Sequence, residues 1–179
     1  MKETFRLPLT LALVCAACSF VLTCVHLKTR EPIRQASRAK AFAAARAVLP
    51  SGCEVSESGG VFKASKGGKV AGYATLGRSS AGYGGELVLM VGIGSDGRLL
   101  GYSVVSSKET PGLGSQVGGE SFRGQFTGQL AGGGAVDGWK VRQDGGAFDA
   151  VTAATISSRA AIEAIGDAVR RIEDAARVR

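Results

Sequence analysis

The sequence predicts an α+β protein: an N-terminal transmembrane helix followed by a turn-rich antiparallel sheet with flanking helices. Three observations predict it. Residues 7–27, LPLTLALVCAACSFVLTCVHL, contain no Asp, Glu, Lys or Arg, and as a helix at ~1.5 Å per residue they match a ~30 Å hydrocarbon core. Of the 27 glycines, 26 lie between Gly52 and Gly146, where they separate short β-prone runs. Finally, Ile162, Ile165, Val169, Ile172 and Ala176 are spaced as one apolar stripe of an amphipathic helix.

The chain is expected to divide into an N-terminal tail (1–6), a transmembrane helix (7–27), a basic membrane-proximal helix and linker (28–50) and a folded domain (51–179). A cleaved signal peptide would have a shorter apolar region, of ~7–15 residues, and a small-residue cleavage site. None stands out, so the span reads as retained. Leu13-Val14 and Leu22-Thr23 are poor predecessors for a lipidated cysteine, which argues against a lipoprotein signal. Residues 31–49, EPIRQASRAKAFAAARAVL, are alanine-rich, and Pro32 suits a first helical turn. The basic side chains of that helix could meet anionic headgroups or simply face water. Pro50-Ser51-Gly52 ends it.

Charge and cysteine use remove several functional classes. The formal net charge is +7, but eight basic and two acidic side chains fall in residues 1–50, against fourteen and thirteen in the remainder. The folded domain is therefore nearly neutral and lacks the basic surface of a nucleic-acid binder. Three of four cysteines lie in the apolar run, so Cys53 has no disulfide partner in the domain. One histidine, His26, sits at the membrane boundary, and no metal site is expected.

Within the glycine-rich middle, residues 61–65 and 69–75 read as a hairpin about Gly67-Gly68. Residues 86–93 are the strongest strand candidate, and 99–105 pair with them through Ser95-Asp96-Gly97. Residues 115–130 could hold a short helix with Phe122 and Phe126 in the core. The apolar stripe of the last helix, followed backwards, reaches Ser158 and Thr155. Thr155 should then stand near a helix start, among N–H groups without intrahelical partners.

Two segments carry candidate chemistry. Asp149-Ala150-Val151-Thr152-Ala153-Ala154-Thr155-Ile156-Ser157-Ser158 sets hydroxyls at a helix N-terminus, which favours a phosphate; a simple helix cap is the plainer alternative. Glu109-Thr110-Pro111-Gly112-Leu113-Gly114 fixes one φ at proline and lets backbone approach a flat ligand at two glycines. Alone, it could equally be a tight turn.

Together, these segments resemble the FMN-binding domain of the G subunit of the Rnf/Rsx ion-translocating electron transport complex, related to the C subunit of the Na⁺-translocating NADH:quinone reductase. The likeness also takes in Gly82-Tyr83-Gly84-Gly85, residues 87–93, residues 95–101 and the N-terminal span. The family signature, Asp-x-x-(Ser/Thr)-Gly-Ala-Thr, falls on Asp149, Thr152, Ala153, Ala154 and Thr155. Ala153 departs from it, since the family has glycine there; a φ above zero would make alanine costly, by about 1 kcal/mol or more.

The resemblance implies a single-pass flavoprotein of the bacterial inner membrane, its domain 51–179 binding FMN on the extracytoplasmic side. It implies that Thr155 Oγ is esterified to the FMN phosphate. Thr152, Ser157 and Ser158 would orient the phosphate and ribityl chain, and residues 109–114 would lie against the isoalloxazine, with Thr110 and Leu113 foremost. Asp149 would serve transferase recognition or a turn. Expected partners are the other membrane proteins of the complex, a flavin transferase and membrane lipid. A protein of this kind relays electrons and is not catalytic alone. Two other readings stay open: an FMN-binding sensor or assembly module outside any such complex, and a surface-anchored structural domain in which Thr155 is only a cap. The basic excess after the span opposes the extracytoplasmic assignment by the positive-inside rule.

Overall fold

The structure is a computed structural model and describes residues 2–177. It contains two compact units, Met1–Lys40 and Ala41–Arg179.

The described residues of the first unit are all helical and belong to α1 (Lys2–Val48). Its large apolar side chains, from Leu11 to Leu27, are all more than half exposed. None of the apolar window is buried in the protein, so this is not a core helix, and it is long and apolar enough to cross a membrane. Thr23 and Thr29 donate their hydroxyls to the carbonyls of Ser19 and Val25, both at 2.8 Å, which satisfies two polar groups within the helix itself. Residues 7–27 and the basic stretch after them lie on the same helix. Pro32 lies inside one continuous helix, although a proline there removes one intrahelical donor and crowds the carbonyl four residues before it. The turns on either side remain bonded, and Arg34 and Glu31 pair at 3.3 Å across it.

The second unit is an antiparallel meander of five strands in the order β1-β2-β3-β4-β5: β1 (Glu54–Ser58), β2 (Val61–Lys66), β3 (Lys69–Gly82), β4 (Gly85–Gly94) and β5 (Leu99–Ser106). The expected hairpins are present. The unexpected parts are β1 and the extension of β3 beyond residue 75. β4 is buried along both faces. Leu87, Leu89, Val91 and Ile93 meet α3 (Thr155–Arg177) on one side. Met90 meets the end of α1 on the other, together with Ala45, Phe62 and Ala74. The α3 stripe is buried at Ile162, Ile165, Val169 and Ile172, whereas Ala176 is exposed.

Between β5 and α3 the chain forms 3₁₀ turns at Gly114–Gly118, Ala135–Gly138 and Arg142–Asp144 and one short helix, α2 (Glu120–Gly124). Aromatic rings give this segment its core. Phe126 stacks on Phe148 at 4.4 Å and meets Phe122 edge-on at 5.1 Å. Tyr102 is buried beside them and donates its hydroxyl to the Val117 carbonyl. This packing fixes the loop after β5 against α3, and that junction is where a cleft opens.

Candidate functional site

Three chain segments meet at a cleft of about 570 Å³, within the ~300–1,000 Å³ common for small-molecule sites. The β3–β4 turn contributes Tyr83, the loop after β5 contributes Thr110 and Leu113, and the start of α3 contributes residues 153–157. Tyr83, Leu113 and Ile156 are 74%, 46% and 45% exposed. They are three apolar surfaces around one opening, as a flat, partly apolar ligand requires.

The start of α3 is built for an anion. Val151 accepts from the Ala154 amide at 3.0 Å, closing a turn over Thr152 and Ala153, and Ala154 accepts the first helical bond from Ser158 at 3.0 Å. Ala154 thus occupies the capping position but has no side-chain oxygen. The amides of Thr155, Ile156 and Ser157 have no i−4 partner, and none of the described side chains caps them. Their donors and the positive helix end remain available to a ligand. Thr155, half-buried, is the hydroxyl residue of this first turn that lines the cleft without a side-chain bond among the described residues. The turn before it holds Ala153 at φ 59°, the one non-glycine residue with positive φ among those described. The left-handed geometry anticipated for the family's glycine is present here on an alanine.

The remaining residues of the two segments divide by placement. Ser157 lines the cleft wall but is only 2% exposed, and it donates to Glu109 Oε2 at 2.7 Å. Ser158 does not face the cleft, contrary to expectation. Its hydroxyl accepts from the Val151 amide at 2.9 Å and donates to the Ala154 carbonyl at 3.0 Å, wholly buried. It ties the turn to the helix and has no capacity left for a phosphate. Asp149, Thr152 and Gly112 line a neighbouring hollow of about 430 Å³ instead. The Asp149 carboxylate pairs with Arg142 at 2.7 Å on the surface, while Gln125 holds its backbone N–H and carbonyl at 2.7 and 3.1 Å.

In the loop after β5, Thr110 accepts at its carbonyl from Leu113 and Ser115, each at 3.2 Å, so Pro111 and Gly112 form the bend. Gly112 takes φ 80°, and its amide donates to Ser115 Oγ at 2.9 Å. Gly114 is buried, and a methyl group there would collide with the Glu109 carboxylate and lie 2.7 Å from Ser157 Oγ. This glycine makes room for a side chain, not for a ligand as the sequence suggested.

Tyr83 and Ile156 line the cleft although neither is among the expected site residues, and Gly82-Tyr83-Gly84-Gly85 enters only as part of the family likeness. An aromatic residue held between glycines was the available signal for Tyr83. Ile156 had none, since it lies off the apolar stripe.

Residues 82–170 match the FMN-binding domain family, an interval that takes in all three segments lining the cleft. The chain is similar to the G subunit of the ion-translocating oxidoreductase complex of Stutzerimonas stutzeri, 34% identical over 175 residues, covering 88% of this chain and 75% of that one. It is also similar to the corresponding G subunit of Vibrio atlanticus, 29% identical over 183 residues and covering 92% and 88%. The G subunit of Pseudomonas aeruginosa is 43% identical over 93 residues, half of this chain but only 42% of that relative's length. A crystal structure of the C subunit of Na⁺-translocating NADH-quinone reductase from Parabacteroides distasonis superposes with a TM-score of 0.49 at 24% identity, covering 59% of this chain and 56% of that one.

Proposed function

The chain belongs to the family of G subunits of ion-translocating oxidoreductase complexes, and from that premise we propose a membrane-anchored electron relay whose FMN is joined by its phosphate to Thr155 Oγ. FMN is the cofactor of the family's domain. The observation that carries the attachment is the first turn of α3, where Thr155, whose hydroxyl has no bond among the described residues, lines the cleft beside uncapped helix amides.

When bound, the flavin supplies one- and two-electron chemistry, and the protein supplies attachment, orientation and environment. Thr155 would hold the phosphate, with the Ile156 and Ser157 amides and the helix dipole offsetting its charge. Tyr83, Leu113 and Ile156 would offer apolar contact to the ring system, and Thr110 a hydroxyl at its edge. Asp149 and Thr152, at the adjacent hollow, would be read by the flavin transferase. A covalently held carrier cannot be lost between reduction and oxidation, which suits a protein that receives electrons from one neighbour and passes them to another. On this reading α1 anchors the chain in the inner membrane, the domain lies on the extracytoplasmic side, and the partners are the other subunits of the complex.

The test is co-expression of the full chain with a flavin transferase, followed by denaturing electrophoresis and intact mass. Flavin fluorescence should migrate with the wild-type chain and vanish in Thr155→Ala. An unmodified wild-type mass under those conditions overturns covalent attachment.

A further inference from the structure

Glu109 is a carboxylate buried in the wall of the cleft, 8% exposed. Its Oε2 accepts from Ser157 Oγ at 2.7 Å. Its Oε1 is buried and has no hydrogen-bond partner among the described residues. Burying a carboxylate with an unmet oxygen is costly, so its position calls for a reason.

The neighbours supply one. A methyl group on Gly82 would collide with Glu109 Oε1, and one on Gly114 with Oε2. The carboxylate is therefore wedged between the end of β3, the start of the 3₁₀ turn Gly114–Gly118 and the first turn of α3. Each contact stands one residue from an apolar surface of the cleft: Gly82 beside Tyr83, Gly114 beside Leu113, and Ser157 beside Ile156. Thr155 is two residues from Ser157. One side chain thus touches all three segments that must keep their spacing if the cleft is to keep its shape. Glu109 itself is absent from the residues that form the cleft surface.

We propose that Glu109 is a positioning residue. It sets the separation of Tyr83, Leu113 and the Thr155 turn by bridging Gly82, Gly114 and Ser157, and it acts on the flavin through those residues, not by touching it. The two glycines are the complement of this arrangement, because any larger residue at either position expels the carboxylate. The claim about cleft geometry stands without a ligand; only its consequence for the cofactor rests on the flavin reading above.

The experiment compares full-length wild type, Glu109→Gln and Glu109→Ala in lipid nanodiscs, first without flavin. Amide hydrogen exchange is followed in the segments around residues 85–87, 116–118 and 158–161. Glutamine keeps the shape and an acceptor for the Ser157 hydroxyl, so exchange should stay within about twofold of wild type. Alanine should raise exchange in all three segments together by about tenfold, equivalent to about 1.4 kcal/mol. Each protein is then loaded by the transferase, and the visible circular dichroism of the flavin is recorded. It should change in Glu109→Ala and be restored in Glu109→Gln. If Glu109→Ala proves too unstable to purify, Ser157→Ala, which breaks only one contact, should raise exchange at 158–161 while sparing 85–87. Exchange rising in one segment alone in Glu109→Ala, or in all three in Ser157→Ala, overturns the bridge. A flavin spectrum altered in Glu109→Gln with exchange unchanged indicates direct contact and also overturns it. Failure of the wild-type chain to take up flavin removes the flavin reading but leaves the exchange result decisive.

Discussion

At the scale of single residues, the sharpest local feature is Ala153. An L-residue in the left-handed region brings its Cβ close to the following carbonyl, at roughly 1–2 kcal/mol. Part of that would be returned by the lower entropy of an unfolded alanine relative to glycine. Ala153→Gly should therefore stabilise the domain by about 1 kcal/mol, measurable as a shift in the urea midpoint with unchanged slope, and flavin attachment should be no slower. A destabilised variant would show that the methyl group, which lines the cleft, makes contacts worth more than the strain. Tyr102 gives a second prediction. Burial pushes its phenol well above the ordinary value of 10, with Arg123 acting weakly in the other direction. The folded state then keeps a proton that the unfolded chain releases above about pH 10. Stability should fall as pH rises from there, a slope that Tyr102→Phe removes at the expense of the bond to Val117. An unchanged slope in that variant would assign the alkaline loss to another group.

At the scale of elements, what the sequence revealed and what it hid have one cause: whether an element's neighbours leave a trace in its own residues. β4 was legible because both faces are buried, giving an unbroken apolar run. α3 was legible through its stripe, and Thr155 at its start followed from counting back. The second half of β3 was not, because its inward positions are Gly77 and Ser79, chosen by the approach of α3 and not by apolar burial. Ser79 donates to Glu163 at 2.7 Å, and a methyl group on Gly77 would overlap the Ala164 carbonyl. Gly77→Ala should push α3 away from β3 and cost about 1–3 kcal/mol. Because α3 begins with the Thr155 turn, that shift should also slow flavin attachment. Thermal unfolding and attachment rate measure the two effects, and a variant that loses stability while attaching flavin at the wild-type rate would separate the helix packing from the site. The division of the signature segment between two hollows was equally hidden, since spacing along a loop does not tell which side each residue faces. Ser158 and Gly114 are the instances: the sequence points both at a ligand, and both are committed to the protein's own bonds and packing.

At the scale of the whole molecule, the charge arithmetic and the family reading make opposite statements about sidedness. Six basic residues follow the span, at Lys28, Arg30, Arg34, Arg38, Lys40 and Arg46, against Lys2 and Arg6 before it, and the positive-inside rule would keep them in the cytoplasm. The basic residues follow on the same helix, directly after the ~30 Å that residues 7–27 would span. Arg30, Arg34 and Arg38 recur at four-residue steps and share one helical stripe, while Arg34 is paired with Glu31 and Arg46 lies 4.9 Å over the Phe42 ring. Basic side chains in such a helix can lie against an anionic lipid surface, where each is worth about 1 kcal/mol. The proposed extracytoplasmic placement of the domain is tested directly by reporters. Fusion of a reporter that works only outside the cytoplasm after residue 50 should be active, and a cytoplasm-only reporter at the same point should be silent. The full chain should stay with the membrane after alkaline carbonate washing, whereas a chain lacking residues 1–27 should be released. The opposite reporter pattern would return the domain to the cytoplasm and leave the basic stripe as the determinant of orientation.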